Sequence, residues 1–321
     1  MILFDKKELL GVLDHFLLVA SQVGTLFLMM GVGYVLTKTG KFSRETLSQV
    51  TYLLLYVVVP CLMMDTLQIP RSTELMRVMG LCMALTLGLY LLMALVVNLF
   101  FRRQEEDTRI VLRYGVVYGN IGFMGLPLIQ AVLGDGGMVF AIVGQVGFTL
   151  FAWSHGVLLM GGKEGFSVKK MFLNPGILGS AAAIALFLLD FRLPTVLADG
   201  VSFLGSMNTP LAMVVIGSQM ASADLGATFR NPRLYLSAVL KLIAFPLIAA
   251  FLLLPLKLDP VMYTVLVILA ATPSAGYTSI FAQQYRRDTG TAAQIVTLTT
   301  LCCILTLPCF AVLASVLAGL S

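Results

Sequence analysis

The chain has 321 residues, of which 59% are hydrophobic and 12% are charged. A soluble globular domain carries about 25% charged residues, so this composition cannot cover a water-exposed surface, and the high apolar content excludes a disordered chain. The net charge of +5 does not indicate nucleic-acid binding, because Lys and Arg occur in short patches between apolar runs. Such patches are topology signals of membrane proteins. The sequence therefore predicts a polytopic integral membrane protein without a soluble domain.

Ten apolar runs follow a short amphipathic segment, residues 1–14, which we expect to lie at the membrane interface. A transmembrane helix needs about 20 residues, and backbone polar groups in lipid must be satisfied within the segment. Each run is therefore predicted to be a membrane-spanning helix, the sixth being the shortest. In chain order the runs are 16–36, 47–64, 76–101, 110–133, 139–160, 175–189, 196–220, 234–256, 261–285 and 291–317.

The basic residues are divided unequally between the two ends of these spans. The loops after spans one, three, five, seven and nine contain fourteen Lys and Arg residues, whereas the segments at the opposite ends contain six. Loops rich in Lys and Arg stay in the cytoplasm. Both termini are therefore predicted to lie outside the cytoplasm, and the expected location is the bacterial inner membrane.

Ten spans divide into a first repeat of five at residues 15–160 and a second at residues 174–321, joined by a cytoplasmic loop at 161–173. An odd number of spans per half inserts the second half upside down, which is the inverted-repeat plan of many secondary transporters. Weak internal symmetry supports this plan. Pro60 precedes Pro210 by 150 residues, and Asn120, Gln130 and Asp135 precede Pro273, Gln283 and Asp288 by 153.

Spans four and nine are predicted to be broken near their middles. Span four contains four glycines and Pro127 within thirteen residues, and span nine contains Pro273. Each glycine costs roughly 1 kcal/mol of helix propensity, and proline removes a backbone hydrogen bond. Paired interruptions in corresponding spans point to a transport site. The alternative is a glycine packing face in span four and a simple proline kink in span nine.

A broken span places the N-terminus of its second half near the membrane midplane. Each helix N-terminus carries about half a positive charge and free N–H groups, so two of them form a cradle for a carboxylate. Neither broken region contains Asp or Glu, which favours an anionic substrate over a cation. Neutral side chains can add hydrogen bonds there. The candidate substrate-binding residues are Gly119, Asn120, Gly122, Gly125, Pro127, Gln130, Pro273, Ser274, Gly276 and Thr278.

Other polar residues within the spans have two interpretations each. Lys241 either snorkels to the cytoplasmic interface or faces the bundle interior as a counter-charge or tether. His155 either relays protons or is a buried histidine with satisfied hydrogen bonds. Gln145 and Gln219 either line a pathway or join helices by hydrogen bonds. No hydrolase elbow, zinc-protease motif or phosphate loop occurs, and the cysteines lack zinc-site spacing. We therefore expect no enzyme activity, metal or cofactor.

Several motifs carry a resemblance to a known family. The most specific is residues 119–128 (GNIGFMGLPL), and further stretches are 33–36 (GYVL), 40–43 (GKFS), 57–60 (VVVP), 272–276 (TPSAG), 281–285 (FAQQY), 174–176 (NPG) and 208–211 (NTPL). In these stretches the chain resembles the auxin efflux carrier family of PIN-like carriers and their prokaryotic relatives. The resemblance extends over the whole chain.

The resemblance implies ten helices in a scaffold and a transport domain, with broken helices four and nine crossing at the substrate site. This plan is shared with sodium/proton antiporters and bile acid symporters. It also implies small organic anions as substrates, homodimers, and a crossing at Asn120, Pro127 and Pro273. Plant carriers have a proline where this chain has Thr278, and a long cytoplasmic loop where this chain has about twelve residues. Both differences argue against auxin as substrate, and prokaryotic relatives are associated with dicarboxylates such as malonate or malate.

The sequence is therefore interpreted as a secondary active or facilitative transporter that carries a mono- or dicarboxylate by alternating access. An alternative is a sodium-coupled organic-anion symporter of the bile acid type, whose sodium is bound by freed carbonyls and neutral side chains. A remote alternative is an intramembrane enzyme. Proton or sodium coupling and the direction of transport stay open.

Overall fold

The computed structural model describes the backbone of residues 6–165, 175–222 and 224–320. Within these ranges every regular element is a helix, and β-type pairing is limited to one isolated antiparallel bridge. The helices are α1 (Lys6–Lys38), α2 (Arg44–Thr66), α3 (Thr73–Val97), α4 (Glu106–Val117), α5 (121–133), α6 (135–162), α7 (Pro175–Leu188), α8 (Thr195–Ala221), α9 (Leu225–Arg230), α10 (Arg233–Leu256), α11 (Pro260–Ala271), α12 (Tyr277–Gln284) and α13 (Thr289–Ala318).

The helix boundaries follow from local side-chain chemistry. Ser43, Ser72, Asp259 and Asp288 each accept a hydrogen bond from the backbone N–H three residues later, at the starts of α2, α3, α11 and α13. Such a cap satisfies one of the donors that a helix start leaves free. Gly134 separates α5 from α6, because its φ of 59° and ψ of −154° are not helical. Glycine adopts these angles readily because it has no Cβ.

The helices have the length and composition of membrane spans. Six apolar stretches are long enough to cross a bilayer, namely α2, α3, the stretch that contains α5 and α6, α8, α10 and α13. Residues Gly24–Lys38 of α1, residues Ile177–Leu188 of α7, and α11 are shorter apolar helices. This architecture agrees with a multi-pass integral membrane protein. Most of the predicted loop at 161–173 lies outside the described residues, and the interfacial position of residues 1–14 stays a prediction.

Close packing of small residues joins the helices. In α11 every residue from Met262 to Ala271 is buried, so this helix lies in the protein interior.

Helices α1 and α8 approach so closely that a Cβ added at Gly33 would overlap the backbone of Val214. Gly217 meets the backbone of Met30 in the same way. Small residues allow this approach between membrane helices.

Proline residues within the spans are accommodated by widened turns. Three of the four π-helical segments in the described chain end two residues before a proline: Leu54–Val58 before Pro60, Ile121–Gly125 before Pro127, and Leu240–Ala244 before Pro246. The proline ring clashes with the carbonyl four residues earlier, and a π-helical turn provides the extra residue that relieves this clash. Pro127 therefore lies inside a continuous helix, and the interruption of span four lies before it, at 118–120.

Candidate functional site

Two helices are interrupted in the protein interior, and the two interruptions cross. Between α4 and α5 the chain is non-helical at 118–120, and between α11 and α12 it is non-helical at 272–276. The N–H of Asn120 donates to the carbonyl of Pro273 at 2.7 Å, and the N–H of Ala275 donates to the carbonyl of Tyr118 at 2.9 Å. These bonds form an antiparallel bridge between Gly119 and Ser274. The bridge satisfies backbone groups that the helix ends would otherwise leave free.

Side chains tighten this crossing. The hydroxyl of Ser274 donates to the carbonyl of Gly115 at 2.7 Å, and the backbone N–H of Ser274 donates to Thr299 Oγ1 at 3.1 Å. A Cβ added at Gly119 would overlap Thr272 Oγ1 and lie 2.9 Å from Lys241 Nζ. Ser274 is fully buried. Its hydroxyl therefore ties the two broken helices together, rather than facing open space as a substrate ligand would.

Asn120 forms the start of α5. Its Oδ1 accepts a hydrogen bond from the N–H of Phe123 at 3.3 Å, which is the contact of an N-cap residue. Among the described residues no group accepts a hydrogen bond from its Nδ2. The side chain is 9% exposed and lines the cavity described next. Asn120 therefore both fixes the helix start and presents amide hydrogens to the cavity.

A cavity of about 770 Å³ begins at the crossing. Its inner wall includes Asn120 and Gly276, so the N-termini of α5 and α12 both border it. The cavity continues to Arg44, Ser222 and Gln284, which lie where α2 begins and where α8 and α12 end. Arg44 is the single charged residue on the described wall. The volume falls within the range of about 300–1,000 Å³ that is typical of small-molecule sites.

Lys241 lies directly behind the crossing. It is 1% exposed, and its Nζ donates to the carbonyl of Ala270 at 3.3 Å. Ala270 belongs to the last turn of α11, where carbonyl groups carry partial negative charge. No carboxylate lies within salt-bridge distance of Lys241 among the described residues. Of the two predicted orientations, the structure therefore shows the one that faces the bundle interior, and snorkelling is wrong.

The structure separates some of the candidate residues from the cavity. Gln130 is exposed and donates to Asp135 Oδ1 at 3.1 Å, and ten helical residues place it roughly 15 Å along the axis from Asn120. A Cβ added at Gly125 would meet side chains of Leu269 and Thr272, because this glycine packs against α11. Pro127 is buried within α5 rather than at the crossing. The expectation that Pro127 lies at the crossing is therefore wrong, and Gln130, which was predicted to bind substrate, lies away from the cavity wall.

The remaining candidates lie at or near the crossing. Gly119, Asn120, Gly122 and Gly276 line the cavity. Pro273 and Ser274 form the backbone bridge. Thr278 is fully buried in the first turn of α12, and its hydroxyl has no hydrogen-bond partner among the described residues. The Gly- and Pro-containing motifs therefore contribute mainly backbone to this site.

Several wall residues come from other helices. Gln145 and Thr149 of α6 are buried and border the cavity. Trp153 of α6 also borders it, and so does Tyr277 in the first turn of α12. Thr149, Trp153 and Tyr277 were not predicted. The spacing of Gln145 and Thr149, four residues apart within an apolar run, is a helical-face signal that would have identified the pair. The Nδ1 atom of His155 lies 2.8 Å from the hydroxyl of Tyr118, which is the kind of contact expected for a hydrogen-bonded buried histidine.

Apolar spans, two broken helices that cross, and a cavity at the crossing define the architecture of a membrane transporter. Comparison with known proteins gives the family. A family model described as "Membrane transport protein" matches residues 18–169 and 164–311. The chain belongs to this family of PIN-like membrane transport proteins, and the resemblance to auxin efflux carriers is confirmed.

Two curated relatives are similar over most of their length. A protein of Methanothermobacter thermautotrophicus, named an uncharacterized transporter, is 25% identical over 301 residues, which cover 91% of this chain and 97% of the relative. A protein of Rhizobium meliloti, provisionally named a malonate transporter, is 25% identical over 304 residues, which cover 88% and 91% of the two chains. The family and the names of both relatives indicate a transporter rather than an enzyme.

Proposed function

We propose that the protein is a secondary active or facilitative transporter that carries a small organic anion by alternating access. In this proposal ten spans form two inverted repeats of five. The observation that carries it is the pair of helix N-termini, of α5 and α12, that border one cavity without an acidic residue on its described wall. Substrate-binding roles for Gly119, Asn120, Gly122 and Gly276 are part of this proposal.

The electrostatics of the crossing favour a carboxylate. Each N-terminus contributes about half a positive charge. Most N–H groups of the two first turns already donate within the protein, whereas those of Gly122 and Tyr277 have no acceptor among the described residues, and the Nδ2 group of Asn120 adds a neutral donor. On the other side of the bridge, Lys241 lies at the negative end of α11. The side of the crossing that faces the cavity is therefore positive, because it has two helix N-termini and no acidic residue on its described wall.

The position of the cavity mouth supports an inward-facing conformation. Arg44, Ser222 and Gln284 lie next to the loops that follow spans one, seven and nine, and these loops belong to the basic set that we assign to the cytoplasm. Arg44 would attract anions to this entrance, since a charge at the mouth of a cleft raises the local concentration of its counter-ion. We place both termini outside the cytoplasm, in a bacterial inner membrane.

The substrate is proposed to be a mono- or dicarboxylate. The provisional name of the Rhizobium meliloti relative makes malonate the first acid to test, and its 25% identity leaves other carboxylates equally open. The resemblance to PIN-like carriers supports a homodimer.

A thermal-shift screen of organic acids on the purified protein, followed by uptake into liposomes, tests the proposal. We expect at least one carboxylate to raise the melting temperature and to be taken up. Uptake that requires a sodium gradient would assign the protein to the sodium-coupled alternative, and uptake driven by a pH gradient would assign proton coupling. If no organic anion stabilises the protein or enters the liposomes, the proposal is wrong.

The variant Asn120→Asp tests the position of the substrate. The introduced carboxylate still caps α5, but a negative charge at about 5 Å from a bound carboxylate costs roughly 3 kcal/mol at an effective dielectric constant of 20. This corresponds to a more than hundredfold loss of affinity. Binding should recover at acidic pH if the introduced carboxylate becomes protonated. Asn120→Ala should cost only about 1 kcal/mol.

Asn98 provides the matched control, because it is exposed at the end of α3 and lies outside the cavity. Asn98→Asp should bind the anion like the wild type. Equal binding by the Asp and Ala variants of Asn120 at neutral pH would show that this residue does not face the substrate.

A further inference from the structure

The side chain of Gln145 leaves one strong acceptor without a partner at the cavity wall. Gln145 is 7% exposed and lines the cavity on α6. Its Nε2 donates to Thr149 Oγ1 at 3.3 Å. Its Oε1 is buried and makes no hydrogen bond among the described residues.

The hydroxyl of Thr149 fixes the orientation of this amide. It donates its single hydrogen to the backbone carbonyl of Gln145 at 2.8 Å. A hydroxyl has one hydrogen, so Thr149 Oγ1 can only accept from the side chain of Gln145. The Nε2 group must therefore face Thr149, and Oε1 must point the other way.

The other way is toward the first turn of α5. Oε1 lies 3.4 Å from the position that a Cβ would occupy on Gly122, and Gly122 follows the cap residue Asn120 by two positions. The cavity wall at the first turn of α5 therefore has a hydrogen-bond donor and a hydrogen-bond acceptor close together. It has the backbone N–H of Gly122, which has no acceptor among the described residues and suits a carboxylate. Beside it lies one acceptor, Gln145 Oε1, that no donor of the described residues satisfies.

We propose that Gln145 Oε1 accepts a hydrogen bond from a hydroxyl group next to the carboxylate of the substrate, so that the site selects hydroxy acids. This inference rests on the proposed function. A buried acceptor without a partner is costly, and a substrate hydroxyl relieves that cost. Thr149 decides which end of the amide is Oε1, but the terminal torsion of glutamine has a broad energy minimum. The proposal therefore requires a modest rotation of this torsion that turns Oε1 from Gly122 toward the cavity that Gln145 lines.

The charges around the site favour a hydroxyl over an ammonium group as the donor. Two helix N-termini and Arg44 make the described wall positive, which disfavours a cationic substituent beside the carboxylate. A site built to hydrogen-bond a hydroxyl discriminates strongly against the analogue that lacks it, because its own polar group is then left unpaired.

Calorimetric binding of two matched pairs of acids to the purified full-length protein tests the inference. The pairs are hydroxymalonate with malonate and lactate with propionate, which differ by one hydroxyl. We expect the wild type to bind the hydroxylated member of a bound pair about tenfold more tightly or better, given about 1.4 kcal/mol per tenfold. Gln145→Leu should lose this preference and keep the affinity for the deoxy acid.

Two further variants separate specificity from folding. Gln145→Asn keeps an amide but shortens it by one methylene, and it should also lose the preference. Gln49→Leu replaces an exposed glutamine of α2 that lies outside the cavity wall and should retain the preference.

Equal affinity of the wild type for both members of each bound pair would overturn this inference and leave the proposed function intact. A preference that persists in Gln145→Leu and Gln145→Asn would also overturn it. If none of the four acids binds and no other organic anion binds or is transported, the proposed function itself fails.

Discussion

Lys241 is a buried lysine whose amine contacts a helix end rather than an acidic side chain of the described chain. Its ammonium group contacts the C-terminal turn of α11 through Ala270 and lies beside Gly119, just beyond the end of α4. Each helix C-terminus carries about half a negative charge, so two of them approximately balance one lysine. The side chain thus satisfies the carbonyl of Ala270 and stabilises the crossing from the side of the helix C-termini.

Removing this charge should impair transport more than folding. Lys241→Met keeps most of the volume but leaves the two helix C-termini uncompensated, at a cost of about 1–2 kcal/mol. We expect uptake by reconstituted protein to fall about tenfold, while the variant still inserts and purifies. Lys257→Met, at an exposed position after α10, should transport normally. Unchanged uptake by Lys241→Met would contradict the role assigned to this residue.

Gly119 is the tightest position of the crossing. A methyl group at Gly119→Ala would collide with Thr272 and with Lys241, and overpacking of this kind costs about 1–3 kcal/mol. We expect a melting temperature several degrees below that of the wild type in detergent. Gly88→Ala on α3 meets no atom within 4 Å and should match or slightly exceed the wild type. Equal stability of the two variants would mean that the crossing is looser than described.

Among the elements, the interrupted helices were predictable and the exact position of one interruption was not. Glycine and proline lower helix propensity wherever they occur, so their clustering in spans four and nine correctly indicates a break. Pro127 did not produce it, because the π-helical segment Ile121–Gly125 absorbs the steric conflict. Whether a proline breaks, bends or widens a helix depends on tertiary packing, which a single sequence does not contain.

The composition of the cavity wall was predictable only in part, because it also depends on tertiary packing. Motifs on spans four and nine identify the backbone of the crossing, but the facing residues come from helices distant in sequence. Arg44 was counted only as a topology charge, and Gln145 was one of several mid-span polar residues. Gln130 was misplaced because it was chosen for its match with Gln283 in the second repeat. Such a match does not show how far along the helix a residue lies from the crossing.

Asp288 provides an element-scale test of pH dependence at the start of α13. Burial opposes ionisation of this carboxyl, but hydrogen bonds from the backbone and hydroxyl of Thr291 and from Thr108 outweigh it and lower its pKa below the ordinary value. A lowered folded-state pKa contributes stability that is present above the unfolded pKa of about 3.9 and is lost as the pH falls through the folded pKa.

We therefore expect the melting temperature of the wild type to fall as the pH is lowered below about 4. Asp288→Asn should be less stable at neutral pH, and its decline on acidification should be smaller. Asp190→Asn, at an exposed carboxylate between α7 and α8, should reproduce the wild-type profile. A wild-type profile that matches that of Asp288→Asn would contradict this role of the carboxylate.

At the scale of the whole molecule, the unequal distribution of basic residues predicts the orientation of the chain. By the positive-inside rule, fourteen Lys and Arg residues in alternate loops against six at the opposite ends predict that the C-terminus lies outside the cytoplasm. A reporter that is active only in the cytoplasm, fused after Ser321, should give no signal. The same reporter placed in the loop after span three should be active. A strong signal at the C-terminus would exclude ten spans with both ends outside.

The reciprocal backbone bonds at the crossing also predict an unusual pattern of amide hydrogen exchange. Segments between helices normally exchange quickly, because their N–H groups face solvent. Here the amides of Asn120 and Ala275 are each donated across the crossing, so peptides that cover both interruptions should be as protected as the helices that flank them. The two amides belong to one bridge and should become exposed in the same opening event, at matching rates. The pairs α4 with α5 and α11 with α12 would then move as one body during transport, and different exchange rates at the two positions would show that they move separately.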